Sequence, residues 1–192
     1  MNKTARSTNR TRVQYAEMST PIGRIYPAWK GNTLLAIAMA ETKNRGSWTA
    51  GDRPGSKVES LRRDLERRYG PIALERARAT NATMKRLQDY FRGDVSAIRK
   101  IRVDPGGTTF QSTVWQLLRT IPAGRTMTYG ELATQAGRPG AARAAGRAVG
   151  SNPIPIAIPC HRVVGKSGSL TGFGGGLPRK RWLLEHEGGA PR

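Results

Sequence analysis

The sequence predicts an α+β fold with its strands gathered in the first half of the chain and a helical second half. Three observations carry this. The stretch "GRIYPAWKGNTLLAIAMAE" holds two apolar β-type runs around Gly31-Asn32 and reads as a hairpin. "VESLRRDLERRY" and "NATMKRLQDYFRGD" then place apolar residues at helical spacing. Beyond "DPGG" the chain turns to short capped helices, which sets a domain boundary near Pro105 to Gly107 and divides residues 1–104 from 105–192.

Taken in order, a basic arm, "MNKTARSTNRTR", precedes the hairpin, and the polar, glycine-rich loop "RGSWTAGDRPGSK" follows it. In the first helix Val58, Leu61 and Leu65 form one stripe with arginines outside; in the second, Met84, Leu87 and Phe91 line a face and Gly93 ends it. "IRKIRVDPGG" is a strand followed by a breaker. The second half opens with "FQSTVWQLLRTIPAG", whose Phe110, Val114, Leu117 and Leu118 face a core and which stops at Pro122. In "TYGELATQAG", Thr128 and Glu131 match the capping box, so Thr128 is the N-cap. A turn through "RPG" leads to "AARAAGRAVG", and two short helices around a glycine-bearing turn read as a helix-turn-helix, a unit also found in folds that never touch DNA.

Charge narrows the partners. Lys plus Arg number 33 against 13 Asp plus Glu, a net charge of +20 over 192 residues, and both halves are basic. A polyanion is the natural partner, nucleic acid ahead of a membrane surface, because no lipid-facing amphipathic segment is present; the bland alternative is charge for solubility. "LLAIAMA" is too short to span a bilayer, and the arm lacks the apolar stretch of a secretory signal, although its Arg and Ser/Thr content faintly echoes a transit peptide. One cysteine and two histidines exclude a disulfide framework and argue against a zinc cluster, which suits a reducing compartment. Arg143 and Arg147, four apart on a helix otherwise made of Ala, Gly and Val, share a face. Small side chains allow close approach, so groove contact with an inserted arginine is favoured over a packed helix with two solvated arginines.

The lone cysteine stands in "NPIPIAIPCHRVVG". A free cysteine is ordinarily a small buried hydrophobe. Here Pro153, Pro155 and Pro159 remove donors and fix the segment as extended, a stiff mount for a nucleophile. In an extended segment Cys160 and His161 point to opposite faces, so a bridging water carries the proton between them. The last helix, "LPRKRWLLEHEGG", begins at Pro178 and ends at Gly188, with Glu187 on its apolar stripe. A carboxylate there needs a cationic or N–H partner. His161 is one candidate; Arg179, Arg181 or plain solvent are the others.

These segments also carry a resemblance. "IPCHRVVGKSGSLTGFGGGLPRKRWLLEHEG" resembles the signature of the O6-alkylguanine-DNA alkyltransferases, the methylated-DNA–protein-cysteine methyltransferase family, in its bacterial single-cysteine form. The similarity extends back through "AARAAGRAVGSNP", "RTMTYGELA" and "FQSTVWQLLRTIP", covers residues 108 to 188, and continues weakly into "LQDYFRGD" and "STPIGRIY".

The resemblance implies a small ribonuclease-like α/β domain followed by a winged-helix-like domain with the helix-turn-helix. It implies Cys160 as nucleophile and alkyl acceptor, His161 as its base through water, Glu187 orienting the ring, and Asn152 bracing the turn before the cysteine. Tyr129 would crowd the target phosphate and bond the flipped base, with Gly130 beside it. Arg143 would fill the stack, and Arg147, Arg138 and Lys166 would touch DNA. Pro155, Val163, Phe173 and Gly174 would line the substrate pocket, the carbonyls of Cys160 and Val163 accepting from the guanine amino group and the Gly174 N–H donating to the released oxygen.

The activity implied is direct repair of duplex DNA. O6-alkylguanine, or O4-alkylthymine, is flipped out, because its alkylated edge is unreachable inside the stack, while phosphate charge supplies sequence-independent affinity. His161, backed by Glu187, is expected to lower the thiol pKa. Displacement at the alkyl carbon leaves a thioether that water does not cleave, so the protein acts once. No cofactor or metal is implied. A monomer in solution, side-by-side loading on DNA and a cytoplasmic, nucleoid-associated location complete the expectation. One departure stands out: many relatives have tyrosine where this chain has Phe173, followed by Gly174 to Gly176. That predicts an open pocket wall admitting benzyl-sized groups. Three rivals share parts of the pattern. A Cys-His-Glu hydrolase would turn over, a DNA-binding regulator would keep an inert cysteine, and a base-flipping sensor would lack the reactive thiol.

Overall fold

The computed structural model describes residues 10–40 and 54–189. Most of the basic arm and of the loop "RGSWTAGDRPGSK" lies outside the described residues. The described chain is α+β. Strands β1 (Thr11–Tyr15), β2 (Met18–Thr20), β3 (Gly23–Lys30) and β4 (Thr33–Met39) precede helix α1 (Pro54–Tyr69), strand β5 (Ile72–Arg76) and helix α2 (Ala82–Phe91). After β6 (Arg102–Val103) come α3 (Thr109–Thr120), β7 (Met127–Thr128), α4 (Tyr129–Gln135), α5 (Ala142–Gly150), β8 (Val163–Val164) and α6 (Leu177–His186).

The hairpin expected at Gly31-Asn32 is β3–β4, with Lys30 opposite Thr33. It is the centre of a sheet in the order β5-β1-β3-β4-β6, with β2 on the end of β3. The outer pairs β1–β5 and β4–β6 are parallel and the others antiparallel. One apolar cluster lies between the sheet and α1: Val13, Tyr26, Ala28, Leu35, Leu61 and Leu65. The second is continuous across both halves of the chain, joining Ile25, Trp29, Leu34 and Leu87 to Val114, Leu118, Ile158 and Leu183. In α2 the core face is Met84, Leu87 and Tyr90; Phe91, expected there, is half-buried against Trp182 and His186. Hydrogen bonds also cross between the halves, as from Ile37 N–H to the carbonyl of Pro153 at 2.9 Å.

Caps fix where the helices of the second half begin. Thr128 and Glu131 form the expected box at α4, and Thr108 with Gln111 forms a second at α3. Each N-cap contributes about 1 kcal/mol. Just before α3, Gly107 has φ +92 and passes so close to Trp115 that a Cβ would lie 2.6 Å from the indole, so the breaker is also a packing requirement. Trp115 in turn donates from Nε1 to the carbonyl of Ala148 at 2.8 Å, fastening α3 to α5. Helices α4 and α5, joined through Gly137 (φ +73) and Gly140 (φ +80), form the helix-turn-helix and pack on α3. Ala145, Ala148 and Val149 face inward, which leaves Arg143 and Arg147 exposed on the outer face.

Candidate active site and nucleic-acid face

The segment leading to the cysteine is a chain of turns rather than the extended run its prolines predict. Missing donors prevent sheet pairing without forcing the chain straight, and a side chain supplies the fold instead. Asn152 Nδ2 donates to the carbonyl of Ile158 at 2.8 Å, and its Oδ1 accepts from Ile154 N–H at 3.0 Å. Pro155 bridges to Ile158, and Ile156 is held at φ +76, the one described residue other than glycine at positive φ. Cys160 then opens a 3₁₀ turn, Cys160–Arg162. Cys160 and His161 are therefore not set on opposite faces of an extended strand, as the prolines predict. Even so, no hydrogen bond joins the thiol to the imidazole among the described residues.

Behind the cysteine lies a buried polar cluster. Glu187, at the C-terminal cap of α6 and 7 % exposed, accepts from four donors. These are His161 Nε2 at 3.0 Å, Tyr90 Oη at 2.8 Å, and Arg162 through Nε at 2.7 Å and Nη2 at 2.8 Å. Arg162 completes its bonding on the carbonyl of Ile121. Of the alternatives weighed for Glu187, the partner is His161 together with an arginine, but that arginine is Arg162 and not Arg179 or Arg181. Burial alone raises the Glu187 carboxyl; the hydrogen bonds from His161 and Arg162 and their charges outweigh it and hold it at about 2. The group is a carboxylate, so His161 Nε2 carries the proton it donates.

Burial lowers the pKa of His161, and the charges of Arg162 and Lys180 lower it further against the opposing pull of Glu187. The ring is therefore neutral at pH 7, and with the proton on Nε2 its Nδ1 is an acceptor. That atom is buried and has no partner. The thiol differs from expectation. Burial raises the Cys160 pKa, and the Asn152 side chain, the charge of Lys180 and neighbouring N–H groups only partly offset it. At rest Cys160 is a thiol, and His161 does not hold it as thiolate.

Cys160, 6 % exposed, lies in the lining of a cavity of about 630 Å³. Tyr129, Gly146, Asn152, Pro155, Phe173 and Gly174 share that lining, and Met39, Leu61, Asp64 and Arg67 enter from the first half. Burial raises the Tyr129 phenol, which bonds the Thr171 side chain. Val163 stands outside the lining, and its carbonyl accepts from Lys180 Nζ at 2.6 Å; the carbonyl of Cys160 accepts from Val163 N–H. A carbonyl oxygen carries two lone pairs, so one such bond does not exhaust it. Gly130 lies in the first turn of α4, Lys166 is exposed beyond β8, and Arg138 lies over the Phe110 ring at 4.6 Å. Arg143 and Arg147 form no ion pair among the described residues. No helix among those residues is long and apolar enough to cross a membrane.

Residues 109–189 match the family model for the DNA-binding domain of 6-O-methylguanine DNA methyltransferase. The methylated-DNA–protein-cysteine methyltransferase of Mycobacterium tuberculosis is 40% identical over 178 residues, 91% of this chain and 92% of that protein. This chain belongs to the methylated-DNA–protein-cysteine methyltransferase family. The protein of that name from Salmonella typhimurium is 56% identical over 122 residues, 62% of this chain and 71% of its own length. Two crystal structures of the M. tuberculosis protein superpose on this fold with TM-scores of 0.68. One is of O6-methylguanine methyltransferase at 39% identity and the other is a complex with DNA at 38%; both cover 91% of this chain and 92% of the other.

Within the methyltransferase family frame, the structure brings Cys160, His161, Asn152, Tyr129 and Glu187 around one cavity and its floor. It adds Arg162, Tyr90 and Lys180, which sequence reasoning missed. Lys180 left a signal: it sits four residues before Leu184 and seven before Glu187, on the stripe that α6 buries. Its burial lowers the ammonium pKa to about 8, with the nearby thiol pulling the other way. Tyr90 reaches Glu187 across 97 positions of sequence, and nothing local announces that contact.

Proposed function

We propose that this chain repairs alkylated DNA by moving the alkyl group of O6-alkylguanine, or O4-alkylthymine, from a flipped nucleotide to Cys160, once per molecule. The observation that carries the reading is a cysteine lining a cavity of about 630 Å³ and backed by a His161–Glu187 pair, beside a helix whose two exposed arginines form no ion pair among the described residues.

DNA is held by charge. Arg147, Arg138 and Lys166 contact phosphates, and Arg143 enters the space left by the flipped nucleotide. Tyr129 and Gly130 press the backbone at the target. The base lies in the cavity against Pro155, Phe173 and Gly174, with Val163 contributing its carbonyl from the rear. The Cys160 proton passes through a bridging water to His161 Nδ1, and the imidazolium that forms is stabilised by Glu187. The sulfur then attacks the alkyl carbon in line; the S–C bond forms as the C–O bond breaks, and the proton held by His161 passes through water to the released nucleobase. Because the resting thiol is protonated, the nucleophile is generated when substrate arrives, which spares it from other electrophiles. The thioether has no carbonyl for water to attack, so the cycle ends there.

The same reading divides the labour between residues 1–104 and 105–192. The second part holds the reacting groups, and the first is a ribonuclease-like support for a winged-helix-like partner. A monomer that loads side by side on duplex DNA, working in the cytoplasm at the nucleoid without a cofactor, fits the basic surface of both halves. A binding isotherm steeper than single-site, with the free protein sedimenting as a monomer, checks the loading. For the chemistry, duplex DNA carrying radiolabelled O6-methylguanine is to deliver one label per protein, located on Cys160 by peptide mass. Cys160→Ser is to take none, and an unlabelled cysteine in the parent protein overturns the reading.

A further inference from the structure

The cavity wall around Phe173, Gly172–Gly175, is held from behind by α6 and by the first half of the chain. Gly176 N–H closes the turn on the carbonyl of Phe173 at 2.9 Å. Lys180 Nζ fixes its near end at the carbonyl of Thr171, 2.6 Å away. Arg179, buried in the first turn of α6, donates from Nη1 to the carbonyl of Gly175 at 3.2 Å and from Nε to the carbonyl of Ile22 at 2.7 Å. Behind Gly175 stands Met39, the last residue of β4. A Cβ on Gly175 would fall 2.7 Å from Met39 Sδ and 2.7 Å from Phe173 Cε1, whereas one on Gly174 would meet open space. Met39 itself lines the cavity that holds Cys160.

We propose that Met39 is a specificity-determining residue for alkyl transfer, its side chain setting how far the Phe173–Gly175 turn can retract and so the largest group that reaches Cys160. The inference rests on the function proposed above. An unbranched thioether suits the task, because it fills space without fixing one shape. A side chain at 175 would take room that Met39 and the Phe173 ring occupy.

The test compares rates of Cys160 labelling by free O6-benzylguanine and by duplex O6-methylguanine. Met39→Ala is expected to raise the benzyl-to-methyl ratio about tenfold, the scale of one or two methylenes in an apolar pocket. Met39→Leu, close in volume, is to keep the parent ratio. Gly175→Ala is to lose benzyl labelling preferentially, and adding Met39→Ala to it is to restore part of that loss, since the Phe173 ring stays in place, a coupling that general destabilisation does not produce. An unchanged ratio in Met39→Ala, equal falls in both rates, or no restoration in the double variant overturns the inference. Failure of the parent protein to take a methyl group sinks the underlying function as well; methyl transfer with an unchanged ratio sinks this inference alone.

Discussion

Two basic regions lie on either side of Cys160 and obey opposite rules. Behind it, Arg162 and Lys180 are buried, and each donates to a carboxylate or to carbonyls. On α5, Arg143 and Arg147 stand exposed, with no acid paired to them among the described residues. The first region uses charge to build a shape, and losing a partner there leaves an uncompensated ion in a dry interior. The second keeps its charge free for a polyanion and contributes little to folding. Basic residues of one composition thus divide into architecture and recognition according to what surrounds them.

The sharpest break comes from Glu187→Gln. It strands Arg162 and His161, and a loss of about 3–5 kcal/mol in urea unfolding is expected, with Cys160 labelling down by about a hundredfold or more. Acid probes the same carboxylate. The folded pKa of Glu187, about 2, lies below its ordinary value of 4.5, so its contribution is complete above that ordinary value. It fades as pH falls through the window between the two and is gone below about 2; urea midpoints measured between pH 6 and 2 check this. Tyr90→Phe removes one of four donors and keeps the ring. Stability should fall by about 1 kcal/mol, with a smaller drop in labelling than Glu187→Gln gives. On the other side, Arg143→Ala and Arg147→Ala should leave unfolding within about 0.5 kcal/mol of parent. Arg147→Ala should reduce the salt dependence of DNA binding by about one counterion, while Arg143→Ala should weaken binding to flipped-base duplexes most. If the α5 variants unfold early, or if Glu187→Gln does not, the contrast between the regions fails.

The sequence reveals features that depend on neighbours in the chain. The turn at Gly31-Asn32, the Thr128–Glu131 cap and the arginine pair on α5 are set by spacing within a few residues, and the fold keeps them. The need of Glu187 for a donor was legible from its place on an apolar stripe. The identities of its other donors were not, because Tyr90 belongs to a different helix and the side on which Arg162 falls depends on the 3₁₀ turn at Cys160–Arg162. For a related reason, the path of residues 152–159 departs from the extended run that its prolines predict. Proline constrains φ but leaves the turn to whatever satisfies the carbonyls, and here that is the Asn152 side chain. The protonation state of Cys160 depends on burial, which no local pattern reports.

The φ of +76 at Ile156 has a consequence of its own. A β-branched residue in the left-handed region works against its backbone by roughly 1–2 kcal/mol, and glycine would release that strain. Ile156 is also fully buried, and deleting such a side chain leaves a void that costs about 2–5 kcal/mol. The bulk wins. The loop that presents the sulfur is accordingly wedged into its bend by a hydrocarbon plug, so the bend exists before any DNA arrives, and relaxing it would loosen the aim of the nucleophile sooner than it would steady the protein.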